Sequence, residues 1–480
     1  MKSFEVDVAV IGAGTAGMGA YRAARKHTDS VLLIEGEVYG TTCARVGCMP
    51  SKLLIAAAEA AHHARHADPF GVRVADVSID GAAVMDRVQR ERDRFVGFVE
   101  DSFEAFPPNT RLCASVRFDD PTTLVGESGE RVLARRIVIA SGASPSIPPL
   151  LKSTTSRLLT NESLFELPGL PRSLAVFGPG PVGLEMGQAM SRLGVVVKVF
   201  GIGGSIAGIG DEQLRACADE VFNAEFYLDP AAEVKSVEET ATGVDIHFKH
   251  RDESWKTENF DYVLAATGRT PNVAQLALEN SGLTLDERGV PHFDRYTMQC
   301  GDSPIFIAGD ASDDIPLLHE AADQGRIAGD NAGRYPGIRA GLRRTPLAIV
   351  FTEPQIVSTG LTLARLQDDY RGRHASGRTS FVDQGRSRVM LRNQGGLVVY
   401  GEHGTGIFLG AEMFGPAAEH LGHLLAWALQ QRLTVGEMLE MPLYHPVIEE
   451  GLRSALRDLN RNLQMGPELV ERCMDCGPGA

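Results

Sequence analysis

The chain opens on "FEVDVAVIGAG", a run of β-branched and apolar residues that ends in glycines. Such a run predicts a strand buried on both faces, as in a parallel sheet. A helical pattern follows directly in "TAGMGAYRAAR". The same order of strand, glycine turn and helix returns in "SLAVFGPGPVGLEMGQAMSRLG". Each unit also has a later strand that stops at a small hydroxyl residue and glycine. These are "RIVIASGASP", with Ser141 and Gly142, and "YVLAATGRTPN", with Thr267 and Gly268. The pattern predicts one α/β fold built twice. The second copy reads as an insertion in the first, because the strand "PIFIAGDAS", ending at Asp310, comes after it. Beyond about Arg344 the pattern changes. "LAIVFTEPQIVSTGLT", "RVMLRNQGGLVVYG" and "GIFLGAEMFG" predict antiparallel strands, and "AEHLGHLLAWALQQ" and "EEGLRSALRDLNRNL" predict helices, which makes an α+β domain.

The glycines sharpen this picture. Gly12, Gly14 and Gly17, and again Gly178, Gly180 and Gly183, are spaced G-x-G-x-x-G. That spacing allows a tight turn and a close approach of backbone to a pyrophosphate at the positive end of the next helix. One such motif is weak evidence and could be an ordinary tight turn. Two, each between a strand and a helix, predict two Rossmann-like dinucleotide-binding domains. The expected domains are 1–150 with 270–344, an inserted 151–269, a C-terminal 345–465 and a mobile tail 466–480. A carboxylate about 20 residues after the glycines can bind ribose hydroxyls. Glu35 stands there in the first unit, but Gly201 stands there in the second. The loop "GIGGSIAGIGD" carries no arginine or lysine for a 2′-phosphate, so the expectation is NAD, with NADP left open. Asp310 suits a hydrogen bond to a cofactor polyol; its alternative is a cap for the helix that follows.

Composition narrows the class. A chain of 480 residues has room for a large core and several domains. Its formal net charge of −15 argues against nucleic acid or an anionic membrane as partner. No apolar run reaches the ~18–20 residues of a membrane helix. Neither a signal peptide nor an Arg-rich transit peptide is legible, so a cytoplasmic location is expected. Seven cysteines, an odd number, do not suggest a disulfide framework.

Two of them stand out in "YGTTCARVGCMPSKLL": Cys43 and Cys48, with four residues between. In a regular helix such a pair is separated by about 7.5 Å of rise and about 140° of turn. A disulfide wants its Cα atoms ~4.4–6.8 Å apart, so a joined pair requires a distorted segment. Gly47 and Pro50 supply the means, and Pro50 can open the helix "SKLLIAAAEAAHHARHA". A helix start lowers the pKa of a nearby thiol. The rival readings are a metal site, for which C-x₄-C lacks a second ligand pair, and two buried structural cysteines.

The segment "TTCARVGCMPSK" is similar to the redox-active segment of the flavin-dependent pyridine nucleotide–disulfide oxidoreductases. That family includes dihydrolipoamide dehydrogenase, glutathione reductase, mercuric reductase and the large thioredoxin reductases. The resemblance spans nearly the whole chain through "GAGTAG", Glu35, "GPGPVGLE", "ATGRTPN", "FIAGD", "FTEPQIVSTGLT" and "HPVIEE". One departure is Thr41, where the family usually has a second glycine. The resemblance implies FAD in the first unit, near Thr42, Ser141, Gly142 and Asp310, a nicotinamide nucleotide in the second, and a homodimer formed by the C-terminal domain. It also implies that Cys48 faces the flavin and Cys43 exchanges with a disulfide substrate. Lys52, paired with Glu185, would lie near the flavin. His445, with Glu450 five residues on, would serve as acid–base for the disulfide of the other subunit.

The implied reaction passes electrons between dihydrolipoamide, a small dithiol that a lipoyl domain can carry, and NAD. Other members act on glutathione, mercuric ion or thioredoxin, and a soluble transhydrogenase or a non-catalytic flavin-binding protein are further alternatives. Arg22 and Arg326 stand roughly where glutathione reductase uses arginines. Cys473 and Cys476 resemble the tail thiols of the mercuric and large thioredoxin enzymes, at a different spacing.

Overall fold

The computed structural model describes residues 2–36 and 39–464. The expected mobile tail, with Cys473 and Cys476, lies outside the described residues.

The first strand, Ser3–Ile11, pairs in parallel with Val31–Glu35 on one side and Arg131–Ile139 on the other. Arg111–Cys113 and Ile305–Ile307 extend this sheet at its two sides, also in parallel. Val8, Ala9 and Val10 are wholly buried, because helices cover one face and the chain between strands covers the other. Thr15–Ala24 and the returning helix Leu318–Arg334 cross closely on one face. Glycine permits it: a Cβ on Gly325 or Gly329 would stand 2.1 Å from the carbonyl oxygen of Ala16 or Ala20. The returning helix thus closes the first unit after the insertion, as the Asp310 strand implied.

The second unit repeats the plan. Tyr227–Asp229, Val196–Phe200, Ser173–Phe177, Tyr262–Ala265 and Leu158–Leu159 form one parallel sheet in that order. Both units insert antiparallel strands before the strand that ends at the hydroxyl–glycine turn. In the second these are Val234–Glu239, Val244–Lys249 and Trp255–Phe260. The chain crosses between the units twice, and the crossings, Ala143–Pro145 and Arg269–Pro271, pair with each other.

The C-terminal part is an antiparallel sheet in the order Leu347–Val350, Gln355–Gly360, Phe408–Gly415, Gly396–Glu402, His374–Ser380. Helices Ala418–Gln430 and Glu450–Leu463 pack on it through Leu421, Leu425, Ala455 and Leu459, all fully buried. No helix among the described residues is long and apolar enough to cross a membrane.

Candidate active site

Each glycine turn is built by steric exclusion. Gly12 has φ +99°, and a Cβ there would sit 2.2 Å from Ala140 O; a Cβ on Gly17 would sit 1.8 Å from Gly12 O. Gly178 (φ +109°) and Gly183 repeat this against Ala266 O, at 2.3 Å, and Gly178 O, at 1.9 Å. Gly14 and Gly180 differ: a Cβ there meets nothing within 4 Å. Both are helix N-caps without a side-chain cap, so no cap side chain occupies the free N–H groups in the first turn of either helix, the second of which begins with Pro181.

Around the first turn, Glu35 is held ready. Its Oε2 accepts the Ala13 N–H at 2.7 Å and its Oε1 the Gly36 N–H at 3.0 Å. Ser141 Oγ is buried without a hydrogen-bond partner among the described residues. Gly142, at φ +72°, is fixed by Asn272, whose N–H donates to Gly142 O and whose side chain donates to Ser141 O. Asp310 lies in the turn Gly309–Ser312, and burial raises its carboxyl, with Arg269, 3.9 Å away, opposing. It does not cap the helix that follows, whose N-cap is Leu317. A carboxylate for ribose, a partnerless buried hydroxyl, a second acid and an uncapped helix start together fit a dinucleotide such as FAD. In the second unit Gly268 (φ +97°) accepts Ser146 N–H, and Thr267 Oγ1 donates to Ser146 O at 2.6 Å.

The cysteines sit at a break between two helices. Thr42–Val46 carries Cys43 and Cys48–Arg65 begins at Cys48, with Gly47 joining them. A side chain on Gly47 would press on Thr42 O at 2.9 Å. The second helix starts two residues before Pro50, which falls in the first turn, where its missing N–H costs no hydrogen bond. Thr41, the residue that departs from the family pattern, N-caps the first helix: its Oγ1 accepts the Ala44 N–H. Thr42 is exposed, and Asn161 of the second unit fastens the break by donating to Val46 O at 2.8 Å.

Both cysteines are thiols here. The Cys43 S–H donates to Cys48, which pushes Cys43 up and pulls Cys48 down to about 7; Lys52 adds to the lowering, against burial and Glu185. Burial pushes Cys300 up to about 12. Lys52 Nζ lies 2.7 Å from Glu185 Oε2 and 4.4 Å from the centre of the Phe351 ring. Glu185 is buried, and its Oε1 accepts the Phe351 N–H at 2.9 Å. The metal reading of the cysteines finds no support: among the described residues no three His, Cys, Asp or Glu are placed to hold an ion.

Cys43 opens on a cleft of about 480 Å³. Its walls are mostly apolar, from Met18, Met49, Phe95, Phe98, Val99 and Leu318, and Arg22 stands among them. The Arg22 guanidinium lies 5.1 Å from the Phe106 ring centre. Arg326 is not among the lining residues; it pairs loosely with Asp323 on its own helix, at 3.8 Å, and is half-exposed.

His445 and Glu450 form a second centre in the C-terminal domain. Nδ1 lies 2.9 Å from Glu450 Oε1, and the Val447 N–H donates to Oε2 at 3.1 Å. The carboxylate is buried while the imidazole is 63 % exposed, so the ring is oriented from beneath and presented outward. Sequence spacing did not reveal Phe351, which ties Lys52 and Glu185 to the C-terminal domain, nor His319, whose buried Nε2 has no partner among the described residues. The "FTEPQ" motif marked the segment of Phe351 without indicating that its backbone was the point of contact.

The family model for pyridine nucleotide-disulphide oxidoreductases matches residues 6–325, and the model for their dimerisation domain matches residues 347–456. A mercuric reductase of Shigella flexneri is 32 % identical over 95 % of this chain and 81 % of its own length. A dihydrolipoyl dehydrogenase of Chlamydia pneumoniae is 29 % identical over 97 % of this chain and 99 % of its own. Among solved structures, LpdA of Mycobacterium tuberculosis superposes with a TM-score of 0.78 at 26 % identity, covering 94 % of this chain and 99 % of that one. The HOCl-induced flavoprotein disulfide reductase RclA of Escherichia coli shares the fold, with a TM-score of 0.78 at 21 % identity over 96 % of this chain and 100 % of that one.

Proposed function

The chain belongs to the pyridine nucleotide-disulphide oxidoreductase family, and within it we propose that it oxidises dihydrolipoamide with NAD, as a homodimer. The observation that carries this reading is the cleft at Cys43. Its walls of Met, Phe, Val and Leu suit a small dithiol on an apolar arm, and a lipoyl domain can present such an arm. FAD, when bound, supplies two-electron transfer between the dithiol and the nicotinamide.

The chain's own residues do the rest. Cys43 and Cys48, as a disulfide, take two electrons from the substrate dithiol, becoming two thiols while the substrate becomes a disulfide. The first substrate thiolate attacks Cys43 and displaces Cys48 as a thiolate, whose charge Lys52 stabilises; the second substrate thiol gives its proton to Cys43, attacks the mixed disulfide and releases Cys43 as a thiol. His445 accepts the substrate thiol proton, and Glu450 orients the ring and stabilises the cation that forms. The exposed imidazole is shaped to serve a site on a second copy of the chain.

Arg22 favours a second reading. It has no carboxylate within ion-pair distance among the described residues, so it could receive an anionic disulfide such as glutathione disulfide. The deciding experiment assays the purified dimer with lipoamide, glutathione disulfide, thioredoxin and mercuric ion, each with NADH. Lipoamide should be turned over fastest. Faster glutathione disulfide turnover, abolished by Arg22→Ala, would replace the first reading by the second. Turnover of mercuric ion lost on deleting residues 471–480 would replace both.

A further inference from the structure

The nucleotide turn of the second unit differs from that of the first at two positions that form one pair in space. The Gly12 N–H donates to Ile34 O at 2.7 Å, and the Gly178 N–H donates to Phe200 O at 2.8 Å. By this register residue 179 corresponds to Ala13 and residue 201 to Glu35. In the first unit the turn itself holds the acid, through the Ala13 N–H to Glu35 Oε2 at 2.7 Å. In the second that donor is missing, because residue 179 is proline. The proline ring also fills the acid's place: a Cβ on Gly201 would lie 2.6 Å from Pro179 Cγ, 2.8 Å from Pro179 Cδ and 2.7 Å from Pro230 O. Gly201 is therefore not a neutral substitution. While Pro179 is present, no side chain fits at 201 without a shift of the turn.

A carboxylate at this position accepts hydrogen bonds from both ribose hydroxyls and repels a 2′-phosphate, whereas a guanidinium does the reverse. Residues 202–210 contain neither Lys nor Arg, and Ile202 is 91 % exposed. We propose that Pro179 and Gly201 act as one coupled specificity element that removes charge-based choice, so the protein binds NAD(H) and NADP(H) comparably. This rests on the second unit being the nicotinamide-nucleotide site. It widens the expectation from the sequence, in which the lack of a basic clamp pointed to NAD.

The test is isothermal titration of NAD⁺ and NADP⁺ into the FAD-loaded dimer, with kcat/KM for NADH and NADPH measured beside it. Wild-type dissociation constants should agree within about tenfold. The variant P179A/G201E, which transplants the first unit's pair, should shift the ratio towards NAD⁺ by about 30-fold or more, the scale of charge-assisted hydrogen bonds. It requires the surface turn at Pro230 to retreat slightly. G201E alone should weaken both nucleotides, and P179A alone should leave the ratio unchanged.

A wild-type preference above about 100-fold for either nucleotide overturns the proposal. So does G201E alone if it becomes as NAD-selective as the double variant, since the two positions would then be uncoupled. If the double variant does not fold, the wild-type ratio decides. If neither nucleotide binds the wild type, the assignment of the second unit fails instead.

Discussion

Lys52→Met separates the charge of Lys52 from its shape. Methionine keeps an unbranched apolar stem against the Phe351 ring and removes the cation. Lys52 and Cys48 lie four residues apart on one helix, which places their side chains about 6 Å from each other. Two unit charges at that distance interact by about 2.8 kcal/mol at an effective dielectric constant near 20. That equals about two pKa units at 1.36 kcal/mol each. Lys52 is one-third exposed and already partly neutralised by Glu185, which together reduce the effect by about half. Loss of a cation raises an acid's pKa, so the Cys48 thiol should move up from about 7 by about one unit. Glu185→Gln should act in the opposite sense, because the Glu185 charge raises Cys48. The assay alkylates the reduced protein with iodoacetamide across about pH 5 to 9 and follows the Cys48 peptide by mass spectrometry, since only the thiolate reacts. An unmoved midpoint in Lys52→Met, or midpoints that rise in both variants, would refute an electrostatic role for Lys52.

Three other perturbations reach the remaining parts of the site. Glu450→Ala removes the acceptor of both His445 and the Val447 N–H, and should lower kcat by about 100-fold with FAD content unchanged; mixed dimers of Cys48→Ala and His445→Ala chains should regain activity, and their failure after proven subunit exchange would place the histidine in its own chain's site. Gly17→Ala should yield protein without flavin absorbance, whereas Gly183→Ala should keep the flavin but lose reduction by nicotinamide, because each Cβ closes only its own turn. Arg378→Met tests an ion pair between the second unit and the C-terminal domain. Burial raises Asp211, but Arg378 and the Leu214 and Gln213 N–H groups outweigh it, so the carboxyl is held below its ordinary value. A depressed folded pKa stabilises above the unfolded value of about 3.9 and is lost as pH falls through the folded one. The variant should therefore lose about 1–3 kcal/mol at neutral pH by thermal melting, with the gap to wild type closing in acid.

The glycine turns were legible because their requirement is local. A backbone that passes where a Cβ would stand 1.8–2.3 Å from a carbonyl oxygen admits only glycine, and the fold meets that requirement twice at the same spacing. The break at Gly47 was legible for a different reason: a regular helix cannot bring Cys43 and Cys48 within disulfide reach, and Gly47 and Pro50 allow the distortion. Asp310 was read with two alternatives, and tertiary structure removes the capping one: its neighbour is Arg269, from the crossing strand, while the next helix, Leu318–Arg334, has Leu317 as its N-cap. The Lys52–Glu185 pair joins residues 133 positions apart, so nothing in local pattern could supply it; it came from family resemblance alone. Gly201 was noticed as a missing acid, but its cause, the ring of Pro179, was invisible until the two strand ends stood side by side. Thr41 looked like a loss of glycine, yet at that position a hydroxyl caps the helix that carries Cys43.

The face of the helix Pro181–Arg192 that carries Glu185 explains why the "FTEPQ" segment matters without holding a reactive group. Glu185 accepts the Phe351 N–H, and one turn on, Gln188 both accepts the Glu353 N–H and donates to Glu353 O, each at 2.8 Å. A further turn on, Arg192 donates to the same carbonyl at 2.9 Å while paired with Glu225. Three side chains at helical spacing thus read the backbone of residues 351–353, as a neighbouring strand would. Glu185 adds Lys52 of the cysteine helix to that line, so one buried carboxylate touches the first unit, the second unit and the C-terminal domain. Apolar packing would hold these units together with little control of their register, because it is non-directional. Hydrogen bonds to backbone N–H and C=O groups fix distance and angle together. An unmade one in this buried setting costs about 1–3 kcal/mol. A slip of one unit against the others therefore breaks several at once. That penalty fixes the helix behind the second glycine turn against the helix that carries Cys48 and Lys52.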